Sequence, residues 1–214
     1  MSIVYFYDVC MYSSEMQTPQ NDERVWRRER RRQEKRRRIL TAARELAETK
    51  GLSALTARRL AAETGYVPGA IYSYFPSMDV LKLALAVDML SDINREIKPA
   101  KNDLGTPVDV AAAAGARAGA VLPLLAAARG DAAGQDAALA RALTGRVIAL
   151  LQTLRAPLAE TMSDLDDAAL ASATVGLAAL VLGLELMGGQ LDQLGVSRKS
   201  VLDQYVAGLE RGRV

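Results

Sequence analysis

The sequence predicts an all-α protein: an N-terminal three-helix helix-turn-helix domain followed by a larger helical domain. Three observations carry this. No alternating apolar–polar run of useful length reads as a strand. Apolar residues instead recur at helical spacing along most of the 214 residues. Gly and Pro punctuate the chain where helices would end or begin. Half of the residues are apolar, enough to bury a core.

Taken in order, residues 1–23 carry four acids and no bases and predict a disordered tail. The apolar run in "MSIVYFYDVCMYSSEMQ" is interrupted by Asp8 and has no preceding positive charge, so it does not read as a signal peptide. The alternative to a disordered tail is an artefact of start-codon choice, with Met11 or Met16 as the true start. Residues 24–38, "RVWRRERRRQEKRRR", hold ten Arg or Lys. They read either as a solvated helix extension or as an arm that neutralises phosphates or enters a minor groove. In "ILTAARELAETKG", Ile39, Leu40, Ala43, Leu46 and Ala47 share one helical face, and Gly51 stops the helix. Thr56 is placed to cap a second helix with Leu60 and Ala61 inward, ended by Gly65.

Pro68 suits the first turn of a third, very short helix running to about Phe75. Ser77 is placed to cap a fourth from Met78, with Leu81, Leu85, Val87 and Leu90 on its apolar side. Further helices are expected near 107–128, 136–161, 166–189 and 198–211, with breaks at "KNDLGT", "RGDAAG", "TMSDLD" and "GGQLDQLGVS". Pro123 and Pro157 should kink or interrupt two of them. The stretch 168–184 is apolar enough to consider as a membrane span, but its Ala/Gly/Leu content and acidic flanks favour a buried helix, and no membrane partner is expected.

Charge is distributed unevenly. Residues 24–75 carry 14 Lys or Arg against five Asp or Glu, while the chain as a whole is only +2. One end therefore suits a polyanion. The chain has no histidine, which removes the commonest general base and metal ligand. Its single cysteine, Cys10, excludes an internal disulfide and a cysteine-rich zinc site, and fits a reducing, cytoplasmic setting. No Gly-Lys-Ser/Thr loop cradles a phosphate. Neither cofactor nor metal is expected, and no enzyme. Two other readings of the basic end stay open: a helical enzyme gripping a phosphorylated substrate, and a protein lying on an anionic membrane surface.

Two short helices joined by a tight Gly-containing turn form a helix-turn-helix, whose second helix enters the DNA major groove by its N-terminal end. Here that end is "VPGA", small enough for close backbone approach. Tyr72 and Tyr74 follow, placed for their hydroxyls to reach phosphates, while Ile71 and Phe75, four apart, turn back into the core.

The stretch "LTARRLAAETGYVPGAIYSYFPSMDVL", with "RRILTAARELAETKG" before it, resembles the DNA-binding motif of TetR-family repressors over about 50 residues. The Thr56-x-Arg58 start, the Ala61 and Gly65 spacing, and Gly69-x-Ile71-Tyr72-x-Tyr74-Phe75 fall in order. The resemblance implies a homodimeric regulator whose residues 39–77 bind a palindromic operator in double-stranded DNA. Residues 78–214 would dimerise and hold a small-molecule inducer. It implies that Thr56 and Arg58 contact DNA, that Pro68, Gly69, Ala70 and Ser73 face the bases, and that Tyr72 and Tyr74 hold phosphates. An Arg58–guanine pair would be bidentate.

Two positions depart from the family pattern. Val67 stands where a capping Ser or Thr is usual, and Met78 where a lysine is frequent. The resemblance also implies that "LASATVGLAALVLGLELMGG" and "RKSVLDQYVAGLERG" pair with their dimer mates in a four-helix bundle. An intramolecular core helix is the alternative. The first of these is apolar nearly all round, and Ala173, Gly176, Ala179 and Gly183 allow close helix approach. After Phe75 the only aromatic is Tyr205, so a pocket there would suit an aliphatic ligand better than a planar one. Arg117, Arg141, Arg146 and Glu185 read as exposed or interface charges, or as polar groups at such a pocket.

Overall fold

Helix α1, Pro19–Lys50, carries the basic run within its first twenty residues. The computed structural model describes residues 19–97, 105–127, 134 and 136–212. Cys10 and most of the expected tail lie outside the described residues, as do parts of the breaks at "KNDLGT" and "RGDAAG". The last residues of that expected tail belong to α1. The described residues fall into two units, the first ending at Arg38 and the second beginning at Ile39.

In the first unit the basic segment is helical and its side chains are almost all exposed. Glu23 pairs with Arg27 and Glu34 with Arg30, each four apart, and Gln33 donates to Glu29 at 2.7 Å. Pairs of this kind give a surface helix a few tenths of a kcal/mol each, ~0.2–0.5.

In the second unit, Ile39, Leu40, Ala43 and Leu46 of α1 are buried, as the periodicity predicts. A 3₁₀ turn at Leu52–Ala54 leads to α2, Ala57–Thr64, and α3, Pro68–Tyr74. Both helices are too short to persist alone. Leu60 and Ile71 at 0% exposure and Phe75 at 1% hold them. Full burial of each such side chain is worth about 1.5–3 kcal/mol. Gly51 (φ 77°) and Gly65 (φ 74°) end α1 and α2 at positive φ, and the left-handed conformation of Gly65 costs a side-chain-bearing residue roughly 1–2 kcal/mol.

Helix α4, Met78–Ile97, is capped by the Ser77 hydroxyl, which accepts from the Val80 amide at 3.2 Å. It packs on α5, Pro107–Ala127, and α6, Ala137–Thr161. Helix α5 is central: it also meets α7, Asp167–Leu186, and α9, Arg198–Arg211. Its small Ala111, Ala114 and Ala118 are buried at these contacts. Pro123 and Pro157 interrupt neither helix; both lie inside continuous elements. No strand occurs among the described residues.

One boundary needs correction. Helix α7 ends at Leu186, and "GGQLDQ", expected to be a break, forms a one-and-a-half-turn helix, α8, Gly188–Gln193. Buried Leu191 pins it, an example of tertiary burial overriding glycine's low helix propensity. Helix α7 is buried on one side within this chain. Leu170, Thr174, Leu177, Val181 and Leu184 face inward, but Val175 (57% exposed), Leu182 and Leu186 do not.

Candidate nucleic-acid interface

The geometry of α2 and α3 follows from four local features. The Thr56 hydroxyl oxygen accepts from the Arg59 amide at 3.3 Å and so caps α2. Thr64 is buried and donates to the Leu60 carbonyl at 2.6 Å, closing its last turn. The Gly65 amide returns to the Ala61 carbonyl. Pro68 then starts α3 at its first position, and Val67 makes no side-chain cap, as the sequence indicates.

Ile71 and Phe75 point into the core and thereby turn the opposite side of α3 outward. Thr56, Arg58, Pro68, Gly69, Tyr72 and Ser73 are exposed. Ala70 is half-buried. Tyr74 is also half-buried, packed by its ring against the core, so it is less available than Tyr72. Tyr66, unassigned in the sequence reading, packs there as well. Because the Thr56 oxygen only accepts in its cap, its O–H remains a donor for a further partner. Met78 is half-buried against the core, which explains why an apolar residue suits that place.

Arg44, on α1, ties this part to α4. Its guanidinium lies 2.9 Å from Asp88 and 2.6 Å from Asp92, and Asp92 also receives Arg95 at 2.5 Å. Burial opposes ionisation of Asp92, but the hydrogen bonds and charges of Arg44 and Arg95 outweigh it and hold the carboxyl below the usual range. Sequence periodicity gave no sign of this cluster, because Arg44 and Asp88 are 44 residues apart.

Residues 39–85 match the family model of bacterial regulatory proteins, tetR family. That segment carries the tetR-family DNA-binding motif. Structural relatives span nearly their whole length. A transcriptional regulator from Rhodococcus sp. Rha1 is 19% identical over 83% of this chain and 96% of that one, with TM-score 0.57. A TetR from Acinetobacter baumannii AYE, in complex with minocycline, is 21% identical over 82% and 96%, with TM-score 0.54. Thermus thermophilus FadR, a TetR-family transcriptional repressor in complex with lauroyl-CoA, is 21% identical over 84% and 95%, with TM-score 0.53. No curated protein sequence matches the chain. The fold is that of a tetR-family regulator, a class of DNA-binding transcriptional regulators, with α2–α3 as its helix-turn-helix.

The part of the chain beyond the helix-turn-helix contains an apolar cavity of about 140 Å³ between α4, α5, α6 and α7. Ile93, Ala118, Val121, Leu150, Leu154 and Val181 are among its lining residues. No aromatic ring and no charge lines it, as the scarcity of aromatics beyond Phe75 predicts. Glu185 lies elsewhere, mostly buried, against Gly115 and 3.6 Å from the Arg198 guanidinium. Arg117 is exposed and pairs with Glu96 at 2.6 Å, and Arg141 and Arg146 are exposed. Gly176 admits the Tyr205 ring of α9, whose hydroxyl donates to the Ala173 carbonyl at 3.4 Å. Among the described residues no group of His, Cys, Asp and Glu could hold a metal.

Proposed function

We propose that this protein is a homodimeric repressor that binds a palindromic operator through α3 and leaves it when a small aliphatic ligand enters the cavity. The observation that carries the reading is the outward presentation of the Pro68 end of α3 while Ile71 and Phe75 anchor its other side. Pro68, Gly69, Ala70 and Ser73 then meet base edges, Arg58 pairs with a guanine, and Thr56, Tyr72 and Tyr74 hold phosphates. The exposed stripe Val175, Ala179, Leu182 and Leu186 on α7 supports dimerisation through α7 and α9. Two-fold symmetry would then match a two-fold operator. The cavity supports the ligand class. A cavity of about 150 Å³ with similar lining stays dry and takes up benzene, so an acyl segment or small hydrocarbon fits here. The FadR relative was crystallised with lauroyl-CoA, which agrees with that class. Such a regulator acts in the cytoplasm, on chromosomal DNA.

Sequencing the genomic fragments that the full chain retains tests the reading. The expected result is one shared palindrome. Replacing Arg58 by Ala should cost about 1–3 kcal/mol and relax preference at one base pair in each half-site. Fragments with no common sequence, or an unaltered preference in Arg58→Ala, would contradict it.

A further inference from the structure

The basic half of α1 has a sidedness that composition alone does not show. At 100° per residue, Arg24, Arg27, Arg28, Arg31, Arg32 and Lys35 fall within about 140° of the helix circumference. Glu29 and Glu34 lie outside that stripe. All six cations are exposed. Only Arg27 has an acidic partner, Glu23; among the described residues Arg24, Arg28, Arg31, Arg32 and Lys35 form no ion pair.

Their spacing compounds the effect. Arg24–Arg28, Arg27–Arg31, Arg28–Arg32 and Arg31–Lys35 are like charges four apart, which repel on a helix surface. The segment also lacks an apolar face to bury, since Val25 is 60% and Trp26 76% exposed. A helix face so charged is complementary to an external polyanion. From Arg24 to Lys35 the helix rises about 17 Å, one cation per roughly 3.3 Å. Each strand of duplex DNA presents one phosphate per about 3.4 Å of axis.

We infer that this stripe is a second, sequence-blind DNA-binding surface, which grips the phosphates of duplex DNA and sets the affinity and salt dependence of the complex. The inference rests on the DNA-binding reading above and adds a separate contact to it. It assigns a division of labour: α3 selects the site, and the stripe supplies counterion release that no base change alters.

The test uses the full chain, a fluorescently labelled 30-base-pair duplex of mixed sequence and the preferred duplex, each titrated at several salt concentrations. One variant carries Arg24→Gln, Arg28→Gln, Arg31→Gln, Arg32→Gln and Lys35→Gln together; glutamine keeps helix propensity. A second replaces the same four arginines by Lys. Five lost phosphate contacts should flatten the log–log salt slope by about 4–5 on both duplexes alike, and leave their affinity ratio unchanged. The Lys variant should keep the steep slope, which a purely structural role of the guanidinium groups would not allow.

Trp26, the chain's one tryptophan, lies on the side of this helix opposite the stripe, so the labelled duplex itself supplies the readout of the stripe's partner. Unlabelled mixed-sequence duplex should displace the labelled one, and added salt should release it. A slope in the Gln variant within one unit of wild type would overturn the inference. So would displacement of the labelled duplex by phosphatidylserine vesicles or single-stranded RNA at a lower phosphate concentration than unlabelled duplex requires. A wild-type chain without sequence preference but with a steep, stripe-dependent slope would refute the operator reading alone.

Discussion

Ile71 and Tyr72 are neighbours on a seven-residue helix, and the structure gives them opposite environments. Ile71 is at 0% exposure and Tyr72 at 48%. Truncating Ile71 to Ala removes buried carbons from a site where α3 has few other anchors, and buried Ile-to-Ala changes cost about 2–5 kcal/mol. For a chain of this size each kcal/mol lowers the melting midpoint by about 2–4 °C. A loss of 3 kcal/mol is thus a fall of roughly 6–12 °C. Tyr72→Phe keeps the ring and removes one solvent-facing hydroxyl, so stability should move by less than about 0.5 kcal/mol. Its effect should appear instead in duplex binding, uniformly across sequences, because a phosphate contact carries no base information. Thermal denaturation and anisotropy titrations on both variants decide it. A stable Ile71→Ala, or a Tyr72→Phe that melts early and binds normally, would refute the assignment of the two faces.

Three further outcomes follow. Gly65→Ala meets no atom within 4 Å, so its cost should be backbone strain alone, about 1–2 kcal/mol by denaturant titration. The folded-state carboxyl of Asp92 is held below its unfolded value, so its stabilisation is complete above about pH 4 and is lost as pH falls through the lower folded value. An Asp92→Asn variant should therefore show a shallower loss of stability on acidification than wild type. Ala118→Leu places a larger side chain against the cavity and should abolish any thermal shift given by dodecanoate or benzene while leaving duplex binding intact.

The helix boundaries near the site were legible because they depend on local chemistry. Gly51, Gly65, Pro68 and Ser77 act through their own backbone or side chain within a turn, and each ends or starts a helix as expected. The inward residues Ile39, Leu60, Ile71 and Phe75 were legible from period alone. What the sequence hid depends on distant partners. The Arg44–Asp88–Asp92 cluster joins segments with no common period. The helix at Gly188–Gln193 exists because Leu191 finds a buried place that two glycines gave no reason to expect. The half-burial of Tyr74 beside an exposed Tyr72 likewise follows from the packing of α3 and not from residue type.

Guanine N7 lies in the major groove and adenine N3 in the minor, so methylation interference on the retained palindrome reads which groove α3 occupies. Guanine N7 methylation within each half-site should block binding, and Arg58→Ala should abolish that block at one guanine. Interference confined to adenine N3, with every guanine N7 indifferent, would contradict the placement of the Pro68 end of α3 against the bases.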